Sequence, residues 1–107
     1  MTARTGGTSM TDDNTVFIGS KPASVYVQAV AAQFESGSTA VVIKARGKAI
    51  SKAVDVAEIV RRRQVRDAEV ADISIGTEEV VAEDGRTLRV SSMAIVLSLR
   101  TAQDDTT

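Results

Sequence analysis

The chain contains no cysteine and no histidine. That removes disulfides, thiolate chemistry, imidazole bases and the usual zinc ligands together. Such a composition fits an intracellular protein. Tryptophan is also absent, and only two Phe and one Tyr occur. A core must therefore be built from Val, Ile, Ala and Leu. No run approaches the roughly 18 apolar residues that a membrane helix requires. The opening segment, MTARTGGTSMTDDN, has no apolar block, so it is not expected to act as a secretory signal.

What is present suits one globular domain: 107 residues, 43% hydrophobic and 25% charged. The formal net charge of −1 conceals segregation. Residues 42–66 hold eight cations against Asp55 and Glu58, a local +6. Residues 67–85 hold seven anions and no cation, and residues 86–100 return to +3. Segregation of this kind builds charged faces on a nearly neutral protein.

Residues 1–13 are rich in Thr, Gly, Ser and Asp and read as a disordered tail, as do residues 101–107. Between them, residues 15–18 read as a strand. Ser20 is a candidate helix cap, and Pro22 suits a first helical turn. A helix follows to about Glu35, with Val25 or Tyr26, Ala29, Val30, Gln33 and Phe34 along its apolar stripe. Gly37 suits its left-handed cap. Residues 40–45 form a continuous apolar run, hence a buried strand. A second helix spans 49–63, with Ile50, Ala53, Val54, Ala57 and Val60 on one face. Residues 70–77 and 87–100 read as strands. Apolar parity changes between Val90 and Met93, which calls for a bulge or for a strand end that leaves the sheet. The Asp84–Gly85 pair marks a hairpin tip on a projecting arm. The order β-α-β-α-β-β gives an α+β two-layer sandwich: a four-stranded mixed sheet with both helices on one face.

The stretch IKARGKAIS places Lys44, Arg46 and Lys48 two apart around Gly47, where a strand passes into a helix. Residues two apart on a strand share a face. Free N–H groups near a helix start favour an anion. Arg46 offers a forked donor to phosphate and Lys48 a point charge. The plainer alternative leaves Lys44 and Lys48 solvated and pairs Arg46 with an acid such as Asp55. The same stretch fails as a nucleotide-binding P-loop. Ala49 stands where Ser or Thr should hold magnesium, and Val42 where the upstream Gly should be. Catalysis has little to use: Asp55 and Glu58 are better suited to helix ion pairs with Lys52, Arg61 or Arg62. Ser51 has no base to activate it. No enzyme, cofactor or metal is expected. The acidic pairs Glu78–Glu79 and Glu83–Asp84 suit edge solubility better than cation binding.

The stretches NTVFIGSKP, VVIKARGKAISKAVDVAEIVRRR, ISIGTEEV and GRTLRVSSMAIVLS, spread over about residues 14–100, resemble the Alba family of small archaeal chromatin proteins. The resemblance implies the fold of the C-terminal domain of bacterial translation initiation factor three. It also implies a homodimer with two projecting hairpins, a heterodimer with a paralogue being the secondary alternative. Double-stranded DNA and RNA are the implied partners, with no membrane and no small-molecule substrate. The implied setting is cytoplasmic and chromosome-associated. Position by position, it assigns Lys21, Arg46 and Lys48 to a central basic surface, and Arg86 and Arg89 to an arm along the minor groove. Three departures accompany it. Ser20 replaces the lysine that family members commonly acetylate. Gln64 replaces a Phe that packs neighbouring dimers. The pI near 5.4 is acidic where the family is usually basic. An RNA-processing or protein-interaction subunit on the same fold is the competing reading.

Overall fold

A computed structural model describes residues 14–100; the two expected tails lie outside the described residues. The chain runs β1 (Thr15–Phe17), α1 (Ala23–Glu35), β2 (Ala40–Arg46), a 3₁₀ turn (Gly47–Ala49), α2 (Ile50–Ile59), a π-helical turn (Val60–Gln64), β3 (Ala68–Val81) and β4 (Thr87–Leu99). The sheet order is β1-β2-β4-β3. β1 lies parallel to β2, as an α-helical crossover demands, and the other two pairings are antiparallel. The α+β architecture expected from the element order is the one observed.

Both helices cover one face of the sheet. Val41, Ile43 and Ala45 of β2 point into that layer with Ile95 and Leu97 of β4. Helix α1 meets them with Tyr26, Val27, Val30, Ala31 and Phe34. Helix α2 and its last turn add Ala53, Val56, Ala57 and Val60. Ile43, Leu97, Val30, Val41, Val56 and Val60 are fully enclosed. Each such aliphatic side chain contributes about 1.5–3 kcal/mol of burial. No polar or charged side chain is buried among the described residues.

Several local expectations change. Of the two alternatives in α1, Tyr26 is buried and Val25 exposed; in α2, Val54 is exposed and Val56 takes a core position. β2 is buried on one face only, since Lys44 is exposed and Val42 half-buried. Ser20 caps nothing: Pro22 occupies the N-cap position of α1, and no side chain caps it. The second helix is not one α-helix over 49–63 but three successive helical types. Strand β3 continues beyond Gly76 to Val81. No irregularity falls between Val90 and Met93; the bulge lies on β3, between Val70 and Asp72.

The parity change in β4 has the second of its two explanations. β2 stops pairing with β4 at Arg46–Ser92. Beyond that point, Thr77–Val81 and Thr87–Ser91 pair only with each other, in a ribbon that leaves the sheet. At its tip Gly85 adopts φ +89°, a conformation costly for any residue with a Cβ. Bonds of 2.8 Å from the Ala82 N–H to the Arg86 carbonyl and 2.9 Å from the Gly85 N–H to the Ala82 carbonyl close the turn.

Candidate nucleic-acid interface

The turn 19–22 brings Lys21 to the surface at the start of α1. The Tyr26 hydroxyl accepts the Gly19 N–H at 3.0 Å and the Lys21 N–H at 3.1 Å. From α2, the Lys52 ammonium donates to the Lys21 carbonyl at 2.6 Å and the Gly19 carbonyl at 3.2 Å. The turn is thus pinned on both sides, by Tyr26 of the helix it opens and by Lys52, some thirty residues on. The Lys21 N–H holds the Tyr26 phenol below its ordinary pKa, against the upward push of burial and with help from the Gly19 N–H. Sequence reasoning missed both pins. The available signal was that the sole tyrosine sits seven residues after Gly19.

At the end of β2, Gly47 adopts φ +55°, and the chain turns at once into the 3₁₀ segment. An added Cβ would meet nothing within 4 Å. The glycine is therefore required by backbone conformation rather than by crowding. Lys44 and Arg46 share the sheet face that no helix covers. Lys48 does not continue that row, because it sits in the 3₁₀ turn beyond the strand. Lys44 reaches over the Phe17 ring, 5.9 Å from its centroid.

Arg46 has an acidic partner, but not Asp55. Its Nη1 donates to Glu78 Oε1 at 3.3 Å, with the two side chains 56% and 49% exposed. Glu78 lies at the root of the ribbon, so the pair ties the strand-to-helix turn to the arm. At the arm tip the Asp84 carboxylate accepts the Arg86 N–H at 3.0 Å and Arg86 Nε at 2.8 Å. The Arg86 N–H first and its guanidinium second hold the Asp84 carboxyl below its ordinary pKa. Arg89 sits on β4 opposite Glu79, on the ribbon face away from Arg46. Lys21, Lys44 and Lys48 enter none of the ion pairs among the described residues.

Two of the three arginines after α2 pair with one acid. Glu58 accepts Arg61 Nε and Arg62 Nε, each at 2.8 Å. Arg62, then Arg61, keep its carboxyl below the usual carboxylate range. No three His, Cys, Asp or Glu side chains are arranged to hold a metal among the described residues. No helix among them is long and apolar enough to cross a membrane.

The family model described as Alba matches residues 14–77. The chain is 56% identical over 86 residues to "DNA/RNA-binding protein Alba 1" of Archaeoglobus fulgidus, covering 80% of this chain and 96% of that relative. It is 48% identical over 96 residues to "DNA/RNA-binding protein Alba" of Methanocella arvoryzae, covering 90% and 100%. Among solved structures, Alba from Thermoplasma volcanium superposes with a TM-score of 0.75 at 48% identity, covering 79% of this chain and 99% of the other. ALBA1 from Trypanosoma brucei shares the fold at a TM-score of 0.67 and 23% identity, covering 85% and 73%. On the match to the family model and on these identities, the chain belongs to the Alba family.

Proposed function

We propose that this protein binds nucleic acid without strong sequence preference, coating and organising duplex DNA and binding RNA as a chromosome-associated dimer. The observation that carries the reading is the 56% identity, over nearly the whole of the relative, to a protein named as DNA- and RNA-binding. The surface chemistry supports it. Lys21, Lys44, Arg46 and Lys48 lie at or beside two chain turns, where cations meet phosphate oxygens without reading bases. Arg86 and Arg89 ride on a ribbon narrow enough to follow a groove, where an arginine gains from the negative potential of the minor groove. Dimerisation has support of its own: Ile73 at 53% and Ile75 at 79% exposure lie on the helix side of β3 with none of the described residues over them. A second copy of the chain is the partner we assign to that strip.

The test is fluorescence anisotropy on a random DNA duplex and an RNA duplex at several salt concentrations, for the natural protein and for the double variant Arg46→Glu, Lys48→Glu. The natural protein should show a log–log salt slope of about −0.9 for each phosphate neutralised on DNA. The variant should lose both duplexes while sedimenting at the same mass. Equal affinity in the variant would remove Arg46 and Lys48 from the interface. Absence of binding by the natural protein at low salt would turn the assignment to a protein partner.

A further inference from the structure

We propose that the uncovered face of the sheet is a platform for one unpaired nucleotide, with its base against the Phe17 ring and its phosphate at Lys44 and Arg46. The inference rests on the nucleic-acid reading above and assigns it a second, single-stranded mode. Phe17 is 67% exposed on a strand, with only a distant lysine above its ring. The exposed Ile73 and Ile75 share the helix-side face with their register partners Ile95 and Met93, so the surface assigned to a second copy leaves Phe17 open.

Strand register sets what stands beside the ring. Phe17, Lys44, Ala94 and Ser74 form one row across all four strands. Arg46, Ser92 and Gly76 form the next. At about 4.8 Å per strand, the first row extends about 14 Å, the scale of a nucleotide and its flanking phosphates. These two rows border an open groove of about 700 Å³. It joins the properties that single-strand binders combine: an aromatic face for a base and cations for the backbone. Ser74 and Ser92 add hydroxyls that can donate to or accept from a base edge or a ribose. Ala94 and Gly76 keep the floor low between them.

The Lys44 ammonium lies 5.9 Å from the ring centroid, at the outer limit of a cation–π contact, so the ring is weakly held. An arriving base displaces that ammonium toward its own phosphate. The Glu78 carboxylate on Arg46 is the competing anion and yields the guanidinium to phosphate. A paired base offers no free face, so a duplex gains nothing from Phe17. The ring therefore separates single-strand binding from duplex binding.

The experiment compares the natural chain with Phe17→Ala and Phe17→Tyr on a single-stranded RNA, its DNA counterpart and a DNA duplex, by anisotropy. Phe17→Ala should weaken single-strand binding roughly five- to 150-fold, the effect of one stacked base. Phe17→Tyr should retain it, and duplex affinity should hold in both variants. Equal losses on RNA and DNA strands would support base and phosphate contacts; a larger loss on RNA would support an added contact to the 2′-hydroxyl. If Phe17→Ala binds single strands as the natural chain does while the duplex still binds, the platform is refuted and the broader reading survives. If single strand and duplex weaken alike, the ring serves the general surface and the platform is again refuted. If the natural chain binds neither, both readings fall together.

Discussion

Replacing Glu78 with Gln removes the acid that holds Arg46, and the expected result is tighter binding. The pair spans 3.3 Å with about half of each side chain exposed. Exposed pairs of this kind are worth about 0.2–1 kcal/mol. Breaking it therefore costs the fold little and returns a guanidinium to the phosphate-facing surface. Removing the carboxylate also removes repulsion toward a phosphate: at about 7 Å in water that repulsion is about 0.6 kcal/mol. Together they predict a roughly four- to fifteenfold lower Kd on duplex DNA at low salt. With one more phosphate contacted, the salt slope should steepen by up to about 0.9. The matched control is Glu69→Gln, which makes the same charge change nine residues earlier on β3. At about 3.3 Å per residue it lies roughly 30 Å away. That is about three Debye lengths at 0.1 M salt, so its effect should be small. Anisotropy titrations of the three proteins across salt read out both quantities. Weaker binding in Glu78→Gln would show that the acid aims Arg46 rather than masks it. Equal gains in both variants would show that only overall charge matters.

Two other expectations follow from the pinned turn and the helix end. Tyr26→Phe deletes the acceptor of the Gly19 and Lys21 N–H groups; it should cost about 1–2 kcal/mol in urea unfolding. The same change should weaken DNA binding a few-fold by releasing Lys21, and unchanged stability would mean that water replaces the phenol at no cost. Glu58, with its pKa lowered by Arg62 and Arg61, contributes stability that is complete above its unfolded value near 4.3 and is lost as pH falls through the lower folded value. Glu58→Gln should therefore shrink the fall in Tm between neutral and acid pH, and an identical fall would remove the pair from the stability balance.

Element order, the two crossovers, the hairpin tip and the projecting arm were all legible in periodicity and turn residues. Helix faces were legible only in part: Ala53, Ala57 and Val60 lie in the core as their spacing implied, whereas Val54 does not. In α2, Ile50, Ala53, Val54 and Ala57 satisfy the three-and-four spacing as well as Ala53, Val56, Ala57 and Val60 do. Packing on β2 and β4 chose the second set. The breaks into 3₁₀ and π turns were invisible because Lys48, Ala49 and Arg61–Arg63 are all good helix formers. The parity change in β4 could be seen, but only the end of β2 at Arg46 explains it. The partner of Arg46 lies 32 residues away across the sheet. Asp55 was the nearer acid in sequence, yet the contact is made by the residue that strand pairing brings alongside. The cations of the site could be named singly from sequence. The acids that share the surface with them, and the Tyr26–Lys52 clasp, exist only once the chain is folded.

The ribbon beyond Ser92 pairs only with itself, and its residues 77–79 and 87–89 are exposed. A two-stranded hairpin in water is marginally stable when no core lies beneath it. Its amide protons should thus exchange through local opening, at a free energy well below that of the sheet it grows from. Whatever the arm grips, part of the contact free energy goes into ordering the arm, at about 0.5–1.5 kcal/mol for each long side chain fixed. The number of contacts it makes therefore overstates its contribution to affinity. The same looseness lets one short strand pair conform to grooves of different width, which a rigid reader could not do.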